Sequence, residues 1–381
     1  MLSALALIAL AFNRASDGVF LTPRNLYNLA VQSSVVGVMA CGMVLVIVSR
    51  HIDLSVGSLL GFAGMLAALL QVDGLLAGSR LSWPSASLIA LACGGLIGAA
   101  QGWWIAYRGV PAFVVTLGGL MIFRGSAYLL TDGRTVAPLD PGFERLGGGI
   151  EGSIGVGPSW ALAGVAIIVI ALLTLRTRAE RRRHGVTVPP LWAEAIRVGL
   201  PVLGVLAFVA VMNAHTLPRS DVGRGLPIPV LVLIAVGSSM HVVSRATRFG
   251  RHVYAMGGSP TAAARAGIDL RRVTLVVFTA MGLLAGIAGV LTSARLGAGT
   301  NSMGTLSELA VIAAAVIGGT SLAGGVGSVA GAVLGAVVMQ SLENGMVLLG
   351  ISSAVRQVGI GAVLVLAVWL DTVWTRRGDA L

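Results

Sequence analysis

A chain of 381 residues that is 56% hydrophobic and only 11% charged lies far from soluble composition, in which about a quarter of residues carry charge. All 26 basic residues are arginine, giving a formal net charge of +11. The absence of lysine excludes a Walker A phosphate loop and Schiff-base chemistry, and arginines flanking apolar runs fit the positive-inside pattern better than a nucleic-acid surface.

Taken in chain order, apolar runs near the bilayer-spanning length of about 20 residues recur throughout. The first, residues 2–12, is short and has no basic residue ahead of it, so it reads as the remnant of a first spanning helix rather than a signal-peptide core. Further runs cover 29–48, 52–70, 85–107, 112–130, 160–175, 198–213, 229–243 and 273–291, then 309–322, 326–349 and 358–370. The expectation is an all-α polytopic membrane protein of about 10–12 crossings, a single transmembrane domain over 1–381. Cys41 and Cys93 both fall inside apolar runs, where a free thiol behaves as a small hydrophobe. Neither a disulfide frame nor a metal site is expected, no cofactor is called for, and HExxH and GxSxG are absent.

Arginine counts orient the chain. With the N-terminus inside, Arg50, Arg108, the cluster 176–197, the six arginines of 244–272 and Arg376-Arg377 share one side, and the opposite loops hold fewer. Both termini are then cytoplasmic. Glycines four residues apart (Gly94, Gly98, Gly102; Gly282, Gly286; Gly327, Gly331, Gly335) let helix backbones approach closely and read as packing.

Polar groups at membrane depth are costly and often functional. Gln32, Asp53, Ser55, Gln101, Arg124, Glu308 and Asn344 are the candidates for a substrate pathway. Asp53-Leu54-Ser55 also suits a simple helix cap, and Arg124 suits either snorkelling or bonds to loop carbonyls. Trp83, Trp103, Trp104, Trp192, Trp369 and Trp374 fall near span ends and read as interfacial anchors. Deep acidic residues are few, which weighs against an ion-coupled carrier, the alternative reading.

The polar stretch 244–272, SRATRFGRHVYAMGGSPTAAARAGIDLRR, contains a punctuated short helix. Ser259 supplies an N-cap, Pro260 the first helical position, and Gly267 a left-handed stop. Helices this short are marginal alone in water, so this one needs a dock.

Several motifs in order, FLTPRNLYNL, GMVLVIVSRHIDLSVGS, VPAFVVTLGGLMIFRG, GRHVYAMGGSPTAAARAGI, LAVIAAAVIGGTSLAGGVGSVAGAVLGAVV and LENGM, resemble the permeases of bacterial ABC importers for monosaccharides, the ribose, arabinose and xylose group. Segment 157–215, with RTRAERRRHGVTVPPLW inside it, looks like an added helix pair with an Arg-rich cytoplasmic loop, and makes the chain look most like the xylose or multiple-monosaccharide permeases. The resemblance implies a non-enzymatic subunit in the bacterial inner membrane and a pore of two permease copies. It also implies a partner ATP-binding chain with tandem nucleotide-binding halves and an extracytoplasmic sugar-binding protein. It further implies that 244–272 is the ATPase-coupling loop, with Gly250, Arg251, Gly258, Ser259, Pro260, Ala263, Arg265 and Gly267 as coupling residues. Ser259 stands where the group usually has asparagine, and both are good caps.

Overall fold

The computed structural model describes residues 1–74, 79–185 and 190–378. Part of the Arg-rich loop, residues 186–189, lies outside the described residues, as do the side chains of Trp374, Arg376 and Arg377. Among the described residues fifteen α-helices run in the order α1 (Leu2–Ala15), α2 (Pro23–Val48), α3 (Val56–Val72), α4 (Trp83–Arg108), α5 (Ala112–Leu129), α6 (Pro141–Glu144), α7 (Val156–Arg183) and α8 (Leu191–Ala214), then α9 (Ile228–Ala246), α10 (Arg248–Gly258), α11 (Pro260–Arg265), α12 (Leu270–Leu296), α13 (Ser307–Ile317), α14 (Val329–Leu348) and α15 (Ser353–Gly378). Among the described residues β-structure is limited to isolated bridges, such as Val136 with Gly299 and Ser153 with Pro227.

Each of the twelve apolar runs falls on its own helix. Eight of these helices are long and apolar enough to cross a membrane, while α1, α3, α13 and the apolar part of α15 are shorter. The tenth run departs most from expectation. Its helix, α13, has only 11 residues, and the preceding segment 297–306 is unwound. That segment runs along α3, placing Gly299 against Met65 and Ala68, Met303 against Gly61 and Gly64, and Gly304 against Gly57. An unwound chain and a half-helix together replace one regular span.

The core is built around α2, α3 and α12. Val38, Met39, Met43, Val44 and Val46 of α2 are wholly buried, as are Met65 and Ala67 of α3 and Phe278 of α12. The glycine spacing performs as expected. A Cβ on Gly94 or Gly98 would strike the carbonyls of Gly282 or Phe278, and one on Gly282 would strike Gly94, so α4 and α12 lie backbone to backbone. Gly331 and Gly335 of α14 meet Gly318 and Ala314 in the same way.

The α7–α8 pair stands at the periphery. Ser159 and Ala163 are the buried residues of α7, and the pair joins the bundle through a small cluster of Tyr27, Val31, Ala163, Val209, Met212 and Leu226.

Candidate functional site

Five of the seven pathway candidates converge on the seam between α3 and the unwound segment. Asp53, 1% exposed, accepts from the Ser55 amide at 2.8 Å and its hydroxyl at 2.6 Å. This is a turn just ahead of α3, whose N-cap Ser55 makes no side-chain capping bond. Gln101 of α4 donates to Ser55 Oγ at 2.9 Å. Arg124 of α5 donates to the carbonyls of Asn301 and Met303 at 3.1 and 2.8 Å. Of its two expected roles, Arg124 takes the second and braces loop carbonyls that no helix satisfies. Glu308, at the start of α13, is buried with Oε2 unpartnered, and it interacts electrostatically with Arg124 and Asp53. A carboxylate at such depth is costly unless compensated.

The other two candidates lie elsewhere. Asn344 accepts from Asn25 at 2.9 Å, and Asn25 also donates to the Phe20 carbonyl at 2.8 Å, so this pair clasps α14 to the start of α2. Gln32 lines a cavity of about 180 Å³ with Thr292, Arg295, Gly304, Ser307, Gln340 and Glu343. A second cavity of about 140 Å³ shares Ser307, Gln340 and Glu343 and adds Arg356 and Gln357. Gln340 donates to Glu343 at 2.9 Å. Arg295 and Arg356 escaped notice in the sequence because both sit at helix ends, where an arginine looks like a boundary marker.

On the Arg-rich face, the stretch 244–272 folds as two helices. The first, α10, was not anticipated. Thr247 caps it by accepting from the Gly250 amide at 3.1 Å, and a Cβ on Gly250 would collide with the carbonyls of Val243 and Ser244. The second, α11, follows the expected punctuation. Ser259 Oγ accepts from the Ala262 amide at 3.3 Å, Pro260 opens the helix, and Gly267 turns at φ +83°. Ala263 is 4% exposed, whereas Gly258, Arg251 and Arg265 are on the exposed side.

The dock is specific. Arg50, just past α2 and itself at φ +66°, donates from Nε to the Gly257 carbonyl at 2.6 Å and from Nη2 to Gly258 at 2.9 Å. The Gly325 amide donates to the Val48 carbonyl at 2.9 Å, and the Tyr254 hydroxyl donates to the Gly327 carbonyl at 2.9 Å. The end of α10, the end of α2 and the turn leading into α14 are therefore one knot. Gly324 and Gly325, at φ +88° and +76°, let the backbones meet there. The sequence signal was the GG pair in SLAGGVGS.

A bundle of apolar helices with an unwound polar seam is the architecture of a membrane transport protein. The sequence pattern of the branched-chain amino acid transport system / permease component family matches residues 25–368, and the chain belongs to this family. It is accordingly a transport subunit and not an enzyme. It is 40% identical over 379 residues to the xylose transport system permease protein XylH of Escherichia coli K12, covering 99% of this chain and 92% of that one. The XylH protein of Haemophilus influenzae is 43% identical over 373 residues, covering 98% and 95%. The ribose import permease protein RbsC of E. coli K12 is 32% identical over 373 residues, covering 97% and 92%. No solved structure matches.

Proposed function

We propose that this chain is the membrane permease of an ATP-driven importer of monosaccharides, with xylose as its pentose. The observation that carries the reading is end-to-end similarity to two xylose permeases at 40–43% identity. The partners are a cytoplasmic ATP-binding chain with tandem nucleotide-binding halves, an extracytoplasmic sugar-binding protein, and a second permease copy. Both termini face the cytoplasm, and the Arg-rich face carries α10 and α11.

In this reading α10 and α11 are the handle. The exposed Gly258 and Arg265, with the half-buried Ser259 and Pro260, meet the ATPase, while Gly250 and Ala263 seat the handle on the membrane part and Gly267 ends it. Movement of the handle passes through the Arg50 knot to α2 and α14. The α3 seam then responds because Arg124 of α5 holds two of its unwound carbonyls, those of Asn301 and Met303. The sugar passes by exchanging hydroxyl contacts. Gln32 and its cavity neighbours receive it, and Asp53, Ser55, Gln101 and Glu308 line the deeper passage, with Arg124 and Asn344 holding its walls.

One observation favours an ion-coupled carrier instead: two buried carboxylates, Asp53 and Glu308, the latter with a free oxygen. Vesicles containing the permease, its ATP-binding chain and its sugar-binding protein separate the two. ATP-driven uptake of labelled xylose is expected, with none from proton or sodium gradients alone. Gradient-driven uptake by the permease without partners would establish the carrier.

A further inference from the structure

The α7–α8 pair carries a cleft apart from the proposed sugar path. A cleft of about 200 Å³ opens between the Arg-bearing ends of the two helices, lined by Leu173, Thr174, Thr177, Arg178, Arg181, Glu194 and Arg197. Arg178 is bonded to Glu194, which neutralises one charge of each sign. Arg181 and Arg197 have no carboxylate partner among the described residues, so the cleft keeps two guanidinium groups with their donors unspent. The threonine hydroxyls donate back to Ile170 and Leu173 at 2.8 Å, leaving the guanidiniums as the donors for any incoming group. Two planar guanidiniums facing one cleft suit a phosphate, which they contact through paired hydrogen bonds.

The surroundings say which phosphate. Leu172, Leu173 and Leu175 of α7 and Ile196, Leu200 and Leu203 of α8 are exposed on both sides of the cleft. Trp192, 69% exposed, stands at the start of α8, where an aromatic ring suits the boundary between hydrocarbon and headgroups. The cleft thus sits at the rim of an apolar surface that no other helix covers among the described residues. A free anion would need only the arginines, whereas a lipid uses the arginines and the apolar flanks together. We propose that the Arg-bearing ends of α7 and α8 form a binding site for the phosphodiester headgroup of an anionic phospholipid, held by Arg181 and Arg197 with its acyl chains along Leu172, Leu173 and Ile196. Basic pockets between membrane helices bind such headgroups on general electrostatic grounds.

The test uses the full-length permease in detergent, titrated with phosphatidylglycerol and followed by native mass spectrometry. Arg181→Gln/Arg197→Gln is expected to weaken phosphatidylglycerol binding by about tenfold or more. Arg182→Gln/Arg183→Gln removes the same number of charges from the end of α7, and because neither side chain lines the cleft it is expected to stay within about twofold of wild type. Phosphatidylcholine binds poorly, and inorganic phosphate does not displace the bound lipid. If the first pair lowers the yield of folded protein, Thr177→Trp fills the cleft at constant charge and gives the same loss. Equal loss in both arginine pairs would reduce the effect to diffuse charge and overturn the site. So would equal binding of phosphatidylcholine, displacement by inorganic phosphate, or an unaltered affinity in Thr177→Trp.

Discussion

The α3 seam and the α7–α8 pair are both helical and both apolar, yet they are built on opposite plans. In the most apolar stretch of α2, beside the seam, 89% of residues are buried, against 11% in α7 and in α8. The seam gives up helical regularity over 297–306, and its backbone is bonded instead by local turns, by the bridge between Val136 and Gly299, and by Arg124 at the Asn301 and Met303 carbonyls. The peripheral pair keeps two long helices, α8 with Pro201 inside it, because lipid offers the backbone no other partner. Irregular backbone at membrane depth is tolerated only where protein surrounds it. The contrast therefore separates an enclosed part with irregular backbone from a peripheral part without it.

The largest effect that would break this contrast is at Gly57. A side chain there would overlap the Glu308 carboxylate and the Gly304 carbonyl, and overpacking of this kind costs about 1–3 kcal/mol or more. Gly57→Leu is expected to remove most folded permease from the membrane, measured by quantitative immunoblotting. Next is Arg124→Gln, which takes a charged donor from two carbonyls, each bond worth about 1.5–3 kcal/mol. Uptake is expected to fall by roughly 10- to 100-fold on that basis, with labelled-xylose transport as the readout and Arg124→Lys restoring part of it. In the peripheral pair, exposed Leu172→Ala is expected to change thermal stability by less than about 0.5 kcal/mol, as read by a melting curve in detergent. A loss comparable to that of a seam variant would show that the pair packs against something more than lipid.

The smallest effect concerns the loop joining α8 to α9. His215 lies 3.0 Å from Arg224 Nη1, and burial, with the charges of Arg224 and Arg24, holds it below its ordinary value of 6.5. The unfolded loop then binds a proton more readily than the folded one, so stability is intact above pH 6.5 and declines as pH falls below it. Hydrogen exchange across 215–226 is expected to quicken on acidification in the wild type and much less in His215→Gln.

Much of the peripheral region was legible in the sequence, and much of the seam was not. Runs such as 160–175 and 198–213 announce themselves by length alone, and Gly94, Gly98 and Gly102 announce close packing by spacing. Ser259, Pro260 and Gly267 each have one local physical reason, so α11 could be read in place. Residues 297–306, GAGTNSMGTL, look like any exposed loop, because nothing local says that Arg124, some 180 positions away, meets their carbonyls. Arg50 and the Gly324-Gly325 turn were missed for the same cause, since their roles exist only once α2, α10 and α14 are brought together. Asp53, Ser55, Gln101 and Glu308 were found one by one as misplaced polar groups, and only the fold shows them as neighbours.

The coupling of handle to seam is tested most directly by measuring xylose uptake and membrane level together for Gly267→Pro and Ala263→Glu in the complete importer. Gly267 sits at φ +83°, which proline cannot adopt, and Ala263 is buried. Uptake is expected to be abolished in both variants while the permease remains in the membrane at its normal level. Normal uptake in both would contradict a handle at α10 and α11.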